Sequence, residues 1–132
     1  MKTPLTDTYD KNFLLETMMG PNAMRITEEL ASSLPIAPGM RILDLGCGMG
    51  ISSILLAEKY DVTVFAADLW ISPTDNAKRF AERGLDAKIF PFLVDAIDSD
   101  EEGYARIHQD ICVSCGLCTV SLSLINIGCC RR

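Results

Sequence analysis

The chain has 132 residues, 12 of them Lys or Arg and 18 Asp or Glu, for a net charge of −6, and 48% of it is hydrophobic. A chain of this size buries roughly two-thirds of its unfolded surface, enough for one core and too little for two, so one soluble globular domain is expected. The acidic balance excludes a phosphate-tracking nucleic-acid binder and a polybasic membrane-surface protein, because both need a positive face. There is no run of 18 apolar residues, and residues 1–8 lead into no apolar segment, which speaks against a membrane span or secretory signal and for a cytoplasmic protein. In that reducing compartment six cysteines read as thiols or metal ligands before they read as disulfides.

Residues 1–12 are polar without a period and read as a loose lead-in. Two short helices are expected over residues 13–34: Phe13, Leu14 and Leu15 run into Met18 and Met19, Gly20-Pro21 interrupts, and Met24, Ile26, Leu30 and Leu34 recur at near-helical spacing. Met18, Met19, Met24 and Met40 read as core packing. Pro35, Pro38 and Gly39 then stop the helix.

From Met40 the pattern becomes strand, helix, strand, helix, strand. Ile42, Leu43 and Leu45 form a short apolar strand, and Ile51, Ile54, Leu55 and Ala57 give the helix that follows. Residues 62–67 are β-branched and aromatic, as suits a parallel strand buried on both faces. The next helix has Ser72 to cap it, Pro73 in its first turn, Ala77, Phe80 and Ala81 as its apolar face, and Gly84 at its end. Residues 87–94 read as a third strand, at a sheet edge because of Pro91. Three strands with helical crossovers predict an α/β fold, half of a Rossmann-like doubly wound parallel sheet in the order 3-2-1. The expected division is an N-terminal helical segment (1–39), an α/β half-domain (40–96) and an irregular tail (97–132), in which residues 98–102 are a solvated acidic run and 119–127 one strand.

The most informative stretch is Asp44-Leu45-Gly46-Cys47-Gly48-Met49-Gly50, where the first strand hands over to a helix. Glycines there let the backbone turn sharply and let a ligand sit on the amides at a helix N-terminus. The dinucleotide fingerprint wants G-x-G-x-x-G, whereas Ile51 stands in the place of its last glycine, which weakens an NAD reading. Asp68 ends the second strand 22 residues after Gly46, placed to accept hydrogen bonds from two ribose hydroxyls, and Asp95 ends the third strand on the same rim. Three carboxylates on one rim suit a cationic nucleoside better than a pyrophosphate. Cys47 reads as a small turn residue lending its amide, and Trp70 as a partly buried cover.

On these motifs residues 40–96 resemble the cofactor half of the class I S-adenosylmethionine-dependent methyltransferases. The resemblance implies that Asp44, Gly46, Cys47, Gly48 and Gly50 hold the methionyl end of S-adenosylmethionine. It further implies that Asp68 holds the ribose, that Leu69 flanks the adenine and that Asp95 with Ala96 lies at the adenine edge. Residues 9–39 would form a helical lid in which Tyr9 approaches the cofactor. The implied activity is methyl transfer to a small-molecule acceptor, impaired if the chain is incomplete. No catalytic base can be named, because the family's acceptor-binding segments follow a fourth strand that the pattern after Ala96 lacks. An alternative is a non-catalytic nucleoside-binding fragment whose open strand edge invites self-association.

Five of the six cysteines lie in the last 21 residues. Cys112, Cys115 and Cys118 resemble three ligands of a bacterial ferredoxin cluster, so an iron-sulfur or zinc protein is a further alternative. The fourth ligand fails: Leu122 stands in its place, no proline follows Pro91, and neither Cys129, Cys130 nor His108 has a spacing to recommend it. Free thiols are the preferred reading, in a tail expected to be non-native through truncation or a shifted frame.

Overall fold

A computed structural model describes residues 4–93 and the strand segments 97–99 and 105–107. Two helices come first, α1 (Lys11–Thr17) and α2 (Ala23–Ser32), each capped by a side chain. Asp10 accepts from the Phe13 N–H at 3.0 Å and Asn22 from the Arg25 N–H at 3.1 Å, satisfying amides that have no partner within a helix's first turn.

The lead-in is more ordered than its composition predicts. Leu5–Thr8 form a 3-10 turn, and Glu28 on α2 accepts from the Leu5 and Thr6 N–H groups and, at 2.8 Å, from the Thr6 hydroxyl. That bond decides which way α2 faces. Met24, Thr27, Glu28 and Ala31 turn inward at helical spacing, and Ile26 and Leu30 are left exposed. Met24 is in the core as expected and Met18 packs against it, but Met19 and Met40 are exposed, on the links that enter and leave α2.

The α/β unit follows the predicted order: β1 (Arg41–Leu45), α3 (Ile51–Tyr60), β2 (Thr63–Asp68), α4 (Pro73–Glu82) and β3 (Ile89–Leu93). The sheet is parallel with β2 in the middle, so its order is 3-2-1, and Pro91 lies on an edge strand where its missing N–H costs no ladder bond. Side chains alternate across it. Ile42, Val64, Ala66 and Ile89 are buried on one face, where they meet Ile54, Leu55 and Phe80 in the core. On the other face Phe65 stacks with Phe90 and with Phe92, ring centres 5.7 Å apart in both pairs.

Helix α4 departs from expectation in detail. Its buried positions are Asn76 and Phe80, whereas Ala77 and Ala81 are exposed, because the large ring claims the core and the residue one turn before it faces the same way. Ser72 occupies the N-cap, yet its hydroxyl makes no capping bond, and Pro73 supplies the helix start. Gly84 does end the helix: its N–H donates to Ala81 O at 2.9 Å and that of Leu85 to Phe80 O at 2.9 Å, the reciprocal pair of a Schellman ending. Within the segment expected to be irregular, β4 (Ile97–Ser99) pairs antiparallel with β5 (Ala105–Ile107). Asp98 stands opposite Arg106 in that register, so part of the acidic run is strand rather than loop. The expected strand over 119–127 and the cysteine cluster lie outside the described residues. No helix among the described residues is long and apolar enough to cross a membrane.

Candidate functional site

Parallel pairing places the carboxyl ends of β1 and β2 side by side, with Asp44 opposite Ala66 and Asp68 two residues further on. By alternation both acids lie on the helix-covered face of the sheet. The chain leaves β1 through Gly46, Cys47, Gly48 and Met49 and enters α3 at Gly50. The structure therefore brings together Asp44, Gly46, Cys47, Gly48, Gly50 and Asp68. Leu69 follows Asp68 and is 47% exposed, and Asp95 and Ala96 lie outside the described residues.

Asp68 ties two loops together. One of its oxygens accepts from the Gly48 N–H at 2.8 Å, and the other from the N–H groups of Trp70 at 2.8 Å and Ile71 at 3.0 Å. Burial alone would push its carboxyl up, but donation from the Ile71, Trp70, Gly48 and Leu69 N–H groups outweighs it and holds the pKa below the ordinary carboxylate value. A carboxylate has about four acceptor positions. The N–H groups of Gly48, Trp70 and Ile71 are shared between its two oxygens, so both oxygens are held in fixed directions.

Asp44 is held differently. The hydroxyls of Ser52 and Ser53, in the first turn of α3, both donate at 2.6 Å to one of its oxygens. Burial drives its carboxyl above the ordinary value, the serine hydroxyls and the Ser53 N–H pull it back, and the nearby Asp68 charge adds to the rise. Among the described residues neither Asp44 nor Asp68 has a cationic side chain within 4.0 Å. Burial likewise pushes the Cys47 thiol up to about 12, helped by the charges of Asp44 and Asp68, so it stays protonated despite its place before a helix N-terminus.

The glycines divide their work. Gly46 and Cys47 donate their N–H groups to Ala67 O at 2.8 and 3.0 Å, so the Cys47 amide serves the link between β1 and β2 and is not free for a ligand. Gly50 is buried, and a side chain there would run into the Phe80 ring. Its smallness lets α4 pack against the start of α3.

Two expectations are overturned. Tyr9 does not approach this site: it is buried and donates to Glu58 at 2.5 Å, in the last turn of α3, while the glycine turn leads into the first. Its ring lies against Lys59 and Arg83, which fixes it to the far end of that helix. Trp70 is 85% exposed rather than partly buried, although its N–H reaches Asp68. Sequence reasoning also missed Ser52, Ser53, Asn76 and Arg79. Asn76 had a signal, being a polar residue four positions before Phe80 and hence on the same buried face.

No family model matches the chain. Phosphoethanolamine N-methyltransferase of Triticum aestivum is 44% identical over 55 residues, 42% of this chain and 11% of that protein. Phosphoethanolamine N-methyltransferase 3 of Arabidopsis thaliana is 33% identical over 57 residues, 43% of this chain and 12% of that protein. Cyclopropane mycolic acid synthase 2 of Mycobacterium leprae (strain TN) is 42% identical over 62 residues, 46% of this chain and 20% of that protein. The chain thus spans about a tenth to a fifth of the length of these relatives. Among solved structures, geranyl diphosphate methyltransferase in complex with S-adenosylmethionine has a TM-score of 0.53 at 22% identity, over 73% of this chain and 40% of that one, and shares the fold.

Proposed function

We propose that the chain binds S-adenosylmethionine across the carboxyl ends of β1 and β2 and belongs to an enzyme that methylates a small-molecule acceptor. One observation carries the reading: Asp44 and Asp68 stand beside a glycine turn with no cationic side chain near either among the described residues. Two buried or half-buried carboxylates without a cation are costly, and a positively charged ligand relieves that cost. The donor set fits such a ligand. Asp44 keeps one oxygen free of the serine hydroxyls for an ammonium, Asp68 offers carboxylate oxygens to a hydroxyl, and exposed Leu69 offers apolar surface to a base.

When bound, the sulfonium supplies an already activated methyl group. The work of this chain is then to bind and orient. Asp68 fixes the two loops on which the nucleoside would rest, the Ser52 and Ser53 hydroxyls hold Asp44 in place, and the protonated Cys47 thiol stays out of the chemistry. The acceptor class is drawn from the relatives, one named for phosphoethanolamine and a fold neighbour for geranyl diphosphate, both small molecules. A second reading, a nucleoside binder without transfer, needs only the same groups, Asp68 for a hydroxyl and exposed Leu69 for a base.

Calorimetric titration with S-adenosylhomocysteine tests the first step, and the expected result is saturable binding that Asp68→Asn weakens about tenfold or more. Absence of binding heat to the unaltered chain would remove the proposal. Transfer of labelled methyl from S-adenosylmethionine to a panel of small amines and alcohols separates the two readings.

A further inference from the structure

We infer that Asn76 and Arg79 on α4 are positioning residues, gripping the carbonyls of the glycine turn and so fixing the direction of its amides. The inference rests on the reading that this turn receives an S-adenosyl ligand. Asn76 is 1% exposed, and a buried amide is costly unless it is bonded. Its Nδ2 donates to Gly48 O at 2.9 Å, and its Oδ1 accepts from Arg79. The same guanidinium donates to Met49 O at 3.3 Å. Every polar bond of this buried side chain goes to the turn or to Arg79, which itself reaches the turn, and no buried side-chain polar atom among the described residues lacks a partner.

The consequence follows from the peptide unit. A trans peptide is planar, with its C=O and N–H pointing in opposite directions. Holding Gly48 O against α4 therefore aims the Met49 N–H away from α4. The neighbouring amides are spoken for: Gly46 and Cys47 bond to Ala67 O, Gly48 to Asp68, and Gly50 to Cys47 O at 2.8 Å. Among the described residues the Met49 N–H is the turn donor left for a ligand, and its direction depends on the grip of α4. The ligand chemistry this serves is an anionic oxygen, such as the carboxylate of an amino-acid moiety.

The test uses the whole chain and the variants Asn76→Asp, Arg79→Met, Arg79→Lys and, as a surface control, Lys88→Ala. Asn76→Asp discriminates well, because the carboxylate keeps or strengthens the pairing with Arg79 while it loses the donor to Gly48 O. Two quantities are measured: affinity for S-adenosylhomocysteine, and amide hydrogen exchange of the peptide covering residues 46–52 without ligand. The expected result is an affinity lower by about tenfold to a hundredfold in Asn76→Asp and Arg79→Met, with partial retention in Arg79→Lys and none lost in Lys88→Ala. Exchange should quicken in residues 46–52 and not in β1 or β2. Parent-like affinity in Asn76→Asp, or exchange that quickens equally across the sheet, overturns the inference. A parent chain that takes up no S-adenosylhomocysteine defeats the functional reading instead, and the exchange result then decides the grip alone. Arg79→Met, at a partly exposed position, keeps the test available if Asn76→Asp does not fold.

Discussion

Replacing Gly50 by alanine should be among the most damaging single-methyl changes in this protein. Two costs combine. The residue has φ +79°, a left-handed conformation that burdens an L side chain by roughly 1–2 kcal/mol. The added Cβ would also clash with Cζ and Cε1 of Phe80, a ring with no exposure that cannot swing into solvent. Overpacking of that kind costs roughly 1–3 kcal/mol, so the sum is about 2–5 kcal/mol against a total stability of about 5–15 kcal/mol for a domain. Gly46 provides the matched control, with φ +77° and nothing within 4 Å of a Cβ. Urea denaturation of Gly50→Ala and Gly46→Ala, followed by circular dichroism, therefore isolates the steric part as their difference, about 1–3 kcal/mol. The double variant Gly50→Ala/Phe80→Leu should be less destabilised than the sum of its parts. Equal losses in the two alanine variants, or strict additivity with Phe80→Leu, would refute the packing argument.

The two acids should respond to pH in opposite senses. Asp44 is raised in the fold, so its ionisation destabilises the folded state as pH rises from its unfolded value of 3.8 through the higher folded one. Asp44→Asn, which can still accept from both serines, should gain on the parent across that window, hold the gain at neutral pH and lose it below 3.8. Asp68 is lowered, so its contribution is complete above 3.8 and disappears as pH falls through the folded value. Asp68→Asn should accordingly be less stable than the parent at neutral pH and approach it in acid, and urea midpoints across the acid range check both. Tyr9→Phe removes the bond to Glu58 and should cost about 1 kcal/mol in thermal or urea unfolding with no change in S-adenosylhomocysteine affinity, since it acts at the far end of α3. Peptide-level mass spectrometry after brief iodoacetamide treatment should find Cys47 unmodified in the native protein and alkylated once unfolded, given 6% exposure and a thiol pushed up to about 12.

The three parallel strands were legible because buried parallel strands are largely apolar and β-branched runs, as residues 62–67 are, with Thr63 the one hydroxyl among them. The closeness of Asp44 and Asp68 was legible for a topological reason: a right-handed crossover returns the chain beside β1, so acids at the carboxyl ends of both strands must share a rim. Helix faces were less legible. Hydropathy assigns Ile26 and Leu30 inward, yet the bonds of Glu28 to the 3-10 turn rotate α2 the other way. In α4 the alanines look like the apolar face, whereas Phe80 sets the orientation and carries Asn76 in with it. These cases share a cause, a polar side chain whose partner is a backbone group in another part of the chain. Nothing in the local spacing of residues announces such a partner.

Because one carboxylate fastens the turn after β1 and the turn after β2 at the same point, neither can be remodelled alone. Grafting a foreign sequence over residues 69–72 would displace the acid from Gly48 and disturb a segment some twenty positions earlier. Insertions in the first turn would propagate just as far forward. Anyone seeking to broaden what this crevice accepts therefore has to exchange both turns as a matched set, and libraries that diversify one of them should return mostly inert clones.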